Sequence, residues 1–136
     1  MGNIYYILFI SLFLYSSSNL GYTIAQCAHD QLGKPYKYGG IGPDQFDDFG
    51  LIYYCMKQAG LPASIDRRSQ ATQGKQITPA EQVPGDTVYI YDKGYNLIGA
   101  LIYYGNSIYI YTYQKVISNK INFNPDFHYD YRRNWK

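Results

Sequence analysis

The tripeptide Pro84-Gly85-Asp86 separates two kinds of hydrophobic pattern, and that change of period restricts the fold more than any other feature of the chain. Before it, apolar residues recur every three or four positions. After it, they alternate with a period of two. From Tyr22 to Leu32 the residues Ile24, Cys27, Ala28 and Leu32 form one helical stripe, and Gly33 with Pro35 stops it. KPYKYGGIGPD is then a glycine- and proline-rich loop. A second helix is expected to start near Asp47 or Asp48, whose carboxylates suit a helix N-terminus, and to run to Gly60 with Leu51, Ile52, Cys55, Met56 and Ala59 facing inward.

Residues 61 to 85 are polar and broken by Pro62, Pro79 and Pro84, which predicts a connection with one short helix near Arg68 to Gln73. The runs DTVYIYD, LIGALIYYG, SIYIYTY and KVISNKI are then β-branched and tyrosine-rich, with turn residues between them, and FHYDYRRN is placed to close a sheet. Helices first and a strand meander afterwards predict an α+β fold with N-terminal helices packed on an antiparallel sheet.

At 136 residues the chain has room for one domain. Its first 21 residues carry no charge and hold an apolar run from Ile4 to Tyr15, followed by small polar residues, as in a secretory signal peptide. Residues 22–136 are then the single domain, secreted or on a cell surface. The run is short for a bilayer span, which takes about 18 residues, so no stable membrane span is expected after cleavage. A net charge of +2 with scattered basic residues speaks against nucleic acid. Arg67-Arg68 and Arg132-Arg133 are expected to be solvated or at strand ends. No cofactor or metal motif is present in the sequence. Cys27 and Cys55 lie on the helix stripes and are expected as buried thiols, a bridge between them being the alternative. The 18 tyrosines fit a half-buried sheet surface, with an aromatic binding face as the sharper possibility.

The letters Asp48-Phe49-Gly50 spell the magnesium-binding DFG of protein kinases, but the chain has no G-x-G-x-x-G nucleotide loop, strand lysine or HRD loop to accompany them. Taken in order, LGKPYKYGG, FDDFGLIYYCMKQAGLP, PGDTVYIYD and LIGALIYYGNSIYIY instead resemble the NlpC family of papain-like cell-wall cysteine peptidases. That family's pattern is LGxPYxWGG, FDCSGL at a helix head, LPR, PGD, an HVG strand and a polar residue on the next strand. The resemblance implies a papain-like fold, with a cysteine nucleophile at a helix N-terminus, a histidine base and an orienting third residue.

Position by position, the resemblance implies that this machinery is missing. Asp48 stands where the nucleophile would be, Phe49 replaces the serine, Leu97 replaces the base, and the third position falls at Tyr111, or at Tyr109 if the hairpin is shifted. An ionised carboxylate without an acid partner is a poor nucleophile toward an amide, and an aspartic-protease mechanism needs two carboxylates converging on one water. Cys55, seven residues beyond Asp48, is about 10 Å deeper along the helix.

Tyr36 and Asp47 keep positions that line the family's substrate groove. With Asp48, Phe49 and Tyr111 they would form an acidic, aromatic mouth for a cationic or amine-bearing ligand, the alternative being that Phe49 and Leu97 fill the old groove and help packing. The resemblance therefore implies a catalytically inactive binding domain for peptidoglycan fragments or a partner protein. The alternatives are an active thiol hydrolase with a relocated nucleophile, or a tyrosine-rich structural surface protein.

Overall fold

The computed structural model describes residues 20–135. The expected signal peptide therefore lies, up to residue 19, outside the described residues. Among them, no helix is long and apolar enough to cross a membrane. Leu20 and Gly21, which the sequence expectation left outside the domain, belong to its first helix, α1 (20–30). Gly21 lies against the Trp135 ring and the Pro84 carbonyl so closely that a β-carbon would collide with both.

Helix α1 buries Ile24, Ala25 and Ala28. Helix α2 (Asp48–Gln58) buries Phe49, Leu51, Ile52, Cys55 and Met56, and Ala59 and Gly60 end it, Gly60 at a φ of 75°. The two helices are joined by a Cys27–Cys55 disulfide, which corrects the expectation of free buried thiols. Each cysteine lies on the inward stripe of its own helix, and the packing brings their Cα atoms to 5.5 Å, within bridging range. Helix α3 (Arg67–Ala71) is a single short turn capped by Asp66.

Six strands follow: β1 (Lys75–Ile77), β2 (Thr87–Tyr91), β3 (Leu97–Gly105), β4 (Ile108–Tyr113), β5 (Lys115–Asn119) and β6 (His128–Arg133). They form one antiparallel sheet in the order β1-β6-β2-β3-β4-β5. β1 was not expected from the sequence. Its three residues carry no periodic signal and are a strand because Gln76 and Ile77 pair with Arg132 and Tyr131. A 3-10 turn, Pro79–Glu81, follows it.

The alternation of the strands sorts their side chains onto two faces. Tyr89, Ala100, Ile102, Ile110 and Val116 meet the helices in the main core. Val88, Leu101, Tyr109, Tyr111, Tyr129 and Tyr131 lie on the other face. There Phe123, from the β5–β6 connection, packs edge-on against Tyr109 and Tyr129.

Arg132 and Arg133 lie at a strand end, closing β6, yet one arginine of each basic pair makes an ion pair with a buried aspartate. Arg133 reaches Asp86 through Nε and Nη2, at 3.0 and 2.9 Å, and Asp86 is fully buried. That fork ties the last strand to the Pro-Gly-Asp turn, because a buried carboxylate needs a partner of opposite charge. Arg67 does the same at the head of α2.

Candidate functional site

The head of α2 is built by backbone contact. Gly50, in the first turn, lies so close to the Gly40 carbonyl oxygen that any β-carbon would collide with it. The Asp47 amide also donates to that oxygen at 3.0 Å. These contacts place the loop 37–46 beside the helix start, with Phe46 fully buried beneath it.

Asp47 is the N-cap. Its Oδ1 accepts the Gly50 amide at 2.7 Å, and its Oδ2 accepts the Gly39 amide at 2.9 Å and Arg67 Nη2 at 3.0 Å. The Arg67 guanidinium lies 4.8 Å from the ring centres of both Tyr38 and Phe49. The chain's own arginine thus occupies the place in which the sequence expectation put a cationic ligand. Burial explains this: Asp47 is only 5% exposed, and a carboxylate so removed from water must find its donors inside the fold.

Asp48 points the other way, into the sheet. Its Oδ1 accepts the Thr112 amide at 2.8 Å and also the Thr112 hydroxyl. The Ala100 backbone adds a further hydrogen bond. Strand β3 passes close by, since a β-carbon on Gly99 would be 3.5 Å from Asp48 Oδ2. Desolvation raises the Asp48 pKa above its ordinary value, and the hydrogen bonds from Thr112 and Ala100 oppose that rise. The carboxylate acts as a pin between the helix head and strands β3 and β4.

The third expected position needs correction. Tyr111 is on the far face of the sheet with Val88, Leu101 and Tyr109, and Tyr109 is there too, its hydroxyl donating to Gln82 at 3.0 Å. Thr112 is the residue that meets Asp48. The pairing of β2 with β3 shifts between Ile90 and Tyr91, so Leu97 and Ala100 both face the helix-side core, and because Ile102 pairs with Ile110 the inward positions of β4 are Ile110 and Thr112 rather than Tyr109 and Tyr111. Leu97 is half-buried against the helix-side core, and Phe49 is 4% exposed with its ring stacked on Tyr89. Tyr36 is 44% exposed and paired by its backbone to Gln114.

The acidic mouth is therefore closed from within. Asp47 and Asp48 direct their oxygens to different partners and do not converge on a shared proton or water. The two histidines stack elsewhere, His29 on Tyr104 at 5.0 Å and His128 on Tyr95 at 4.0 Å. Both cysteines of the chain are in the disulfide, so no thiol is free for a relocated Cys/His pair. Among the described residues, no cluster has the make-up to hold a metal ion.

Beside the helix head is a concavity of about 110 Å³ whose lining includes Tyr38, Ile41, Phe49, Tyr53, Ile65 and Arg67. Its rim is apolar and open, with Tyr38 76% and Ile65 60% exposed. Arg67 and Thr112 were not singled out from the sequence. For Thr112 the signal was the period-two alternation from Ile110. For Arg67 it was an arginine a few residues beyond Leu61-Pro62, where the family pattern has LPR.

Comparison with known proteins places this geometry. Residues 33–133 match the NlpC/P60 family. A probable endopeptidase of Mycobacterium tuberculosis is 29% identical over 89 residues, which are 65% of this chain and 22% of that protein. Probable endopeptidase p60 of Listeria grayi is 35% identical over 82 residues, 60% of this chain and 16% of that protein. The chain thus spans about a fifth of the length of these relatives.

Among solved structures, NlpC2 from Trichomonas vaginalis aligns with a TM-score of 0.78 at 23% identity, over 86% of this chain and 47% of that one. RipD from M. tuberculosis, a non-catalytic NlpC/p60 domain protein with an adaptation to peptidoglycan-binding function, aligns with a TM-score of 0.71 at 18% identity, over 84% of this chain and 96% of that one. At such identities the likeness is one of fold: the papain-like α+β arrangement with an antiparallel sheet.

Proposed function

Because the chain belongs to the NlpC/P60 family, we propose that it is a secreted, non-catalytic member that binds a peptidoglycan stem peptide without cutting it. The observation that carries this is Asp48 at the head of α2, hydrogen-bonded to the amide and hydroxyl of Thr112. A residue in the nucleophile's place that is engaged with a neighbouring strand does not attack a substrate. Leu97, in the place of the base, has no proton to move. The disulfide of both cysteines leaves no substitute thiol. RipD supports the reading as a relative in fold that binds peptidoglycan without catalysis.

Binding falls to the concavity beside the helix head. Asp47 and Arg67 neutralise each other there and hold the walls in place, while the exposed Tyr38 and Ile65 and the half-buried Tyr53 offer apolar contact. The space suits one residue of a peptide, and binding energy comes chiefly from apolar area removed from water.

Incubation of the protein with peptidoglycan and stem peptides, followed by mass spectrometry, is expected to show no new fragments. Calorimetric titration with stem peptides is expected to give saturable binding that Tyr38→Ala and Ile65→Ala weaken. Cleavage, or a peptide affinity indifferent to both substitutions, refutes the assignment.

A further inference from the structure

A second concavity lies at the opposite end of the sheet. Tyr104 is seven residues along β3 from Leu97, which puts it about 23 Å away from the altered catalytic position. The groove has a volume of about 420 Å³ and is lined by Tyr22 and Gln26 of α1, Gln82 before the Pro-Gly-Asp turn, and Tyr103, Tyr104 and Asn106 of the β3–β4 hairpin.

Its base is built by the close approaches already seen at the start of α1. Gly85, at a φ of 94°, would collide with the Gly21 backbone if it bore a β-carbon, and Gly21 would collide with Pro84. Its φ also favours glycine. The Gly85 amide also donates to the Tyr103 carbonyl at 2.8 Å, so helix start, turn and hairpin are held together by backbone contact at the base of the groove.

Two properties of the lining define what fits. First, it contains no charged side chain. Ions of either sign find no partner there. Second, it combines aromatic rings with side-chain amides. Tyr22 is 64% exposed and Tyr104 is braced from behind by the His29 ring. The Gln82 amide is fixed from two sides, its Nε2 donating to the Pro79 carbonyl at 3.0 Å and its Oε1 accepting the Tyr109 hydroxyl at 3.0 Å. Gln26 Nε2 donates to Asp30 at 2.9 Å, and its Oε1 accepts no hydrogen bond among the described residues.

The exposed Tyr22 ring, with the half-buried Tyr103 and Tyr104, matches the C–H faces of a sugar ring, and preoriented amides match its hydroxyl and N-acetyl groups. We infer that this groove is a binding site for a neutral glycan chain, separate from the peptide concavity at the head of α2. The site does not depend on what the helix head binds.

Calorimetric or NMR titration of the folded protein with chitotetraose, cellotetraose and maltotetraose tests this. At least one of these neutral oligosaccharides is expected to bind saturably, with an affinity that does not change between about 50 and 500 mM salt, since no charge is paired. Tyr22→Ala and Gln26→Ala, both at exposed positions, are expected to weaken it by about tenfold each while the thermal unfolding transition stays in place. Tyr38→Ala, at the helix-head concavity, is expected to leave it unchanged. Absence of saturable binding by all three sugars overturns the inference. So does binding that Tyr38→Ala removes and Tyr22→Ala leaves intact.

Discussion

Replacing Thr112 by Val tests whether Asp48 has become a structural pin. Thr112 is 8% exposed, and the substitution keeps its branched shape while removing the hydroxyl that donates to Asp48. The backbone bond from the Thr112 amide remains. A hydrogen bond to an ionised group contributes about 1.5–3 kcal/mol, against about 1 kcal/mol for a neutral pair. The loss is therefore about 2 kcal/mol when Asp48 is charged and about 1 kcal/mol when it is protonated. In a domain of this size 2 kcal/mol lowers the melting temperature by about 8 °C.

The two values make the effect depend on pH. Burial raises the Asp48 pKa above its ordinary value, so the folded state holds this proton more tightly than the unfolded chain does. Asp48 therefore favours folding most at acid pH, and that contribution declines as pH rises through its folded pKa. The Thr112 hydroxyl opposes the rise, so removing it drives the folded pKa higher and steepens the decline. Scanning calorimetry of the oxidised protein from about pH 4 to pH 7 should show wild type and Thr112→Val melting furthest apart at the neutral end. A gap that is constant with pH, or no gap, refutes the assignment of Asp48 as a charged pin.

Four further variants test other contacts of the fold. Cys27 and Cys55 are 28 positions apart, and opening a loop of that length by Cys27→Ser with Cys55→Ser should cost about 3–4 kcal/mol in urea unfolding. Arg67→Ala leaves Asp47 to its two amide donors, and because the Arg67 side chain is 38% exposed the expected loss is about 1–2 kcal/mol by the same assay. Arg67→Lys should recover only part of it, since an ammonium cannot lie flat between the Tyr38 and Phe49 rings. Gly50→Ala should be the most damaging single change, costing more than about 4 kcal/mol, because the obstacle is the Gly40 backbone and cannot rotate away. A well-expressed Gly50→Ala protein with an unchanged melting temperature would contradict that packing.

Legibility in the sequence followed the range of each signal. The stripes of α1 and α2 and the alternation of β2 to β6 are local and periodic, and the helices and strands lie where those patterns put them. β1 is local in extent but not in cause: Lys75–Ile77 is a strand because β6 lies beside it. The cysteines were legible as inward-facing, but their bridge depends on how two helices cross. At the site, Asp48 and Leu97 were reachable by matching short motifs. The threonine opposite Asp48 was not reachable by motif matching, because irregular pairing at both ends of β3, opposite Ile90 and Tyr91 and between Tyr103 and Gly105, breaks the count that leads from Leu97 to β4.

By itself the sequence determined the α+β class, the order of elements and the absence of a cysteine at position 48. Each of these follows from residue type and spacing along the chain. Only the tertiary structure decided what became of the charges. Asp47 and Asp48 are neighbours in sequence, yet one turns to Arg67 and two amides while the other turns to Thr112 and Ala100. The reason is the cost of leaving a carboxylate unpaired away from water, which can be met only by donors that folding brings from distant parts of the chain.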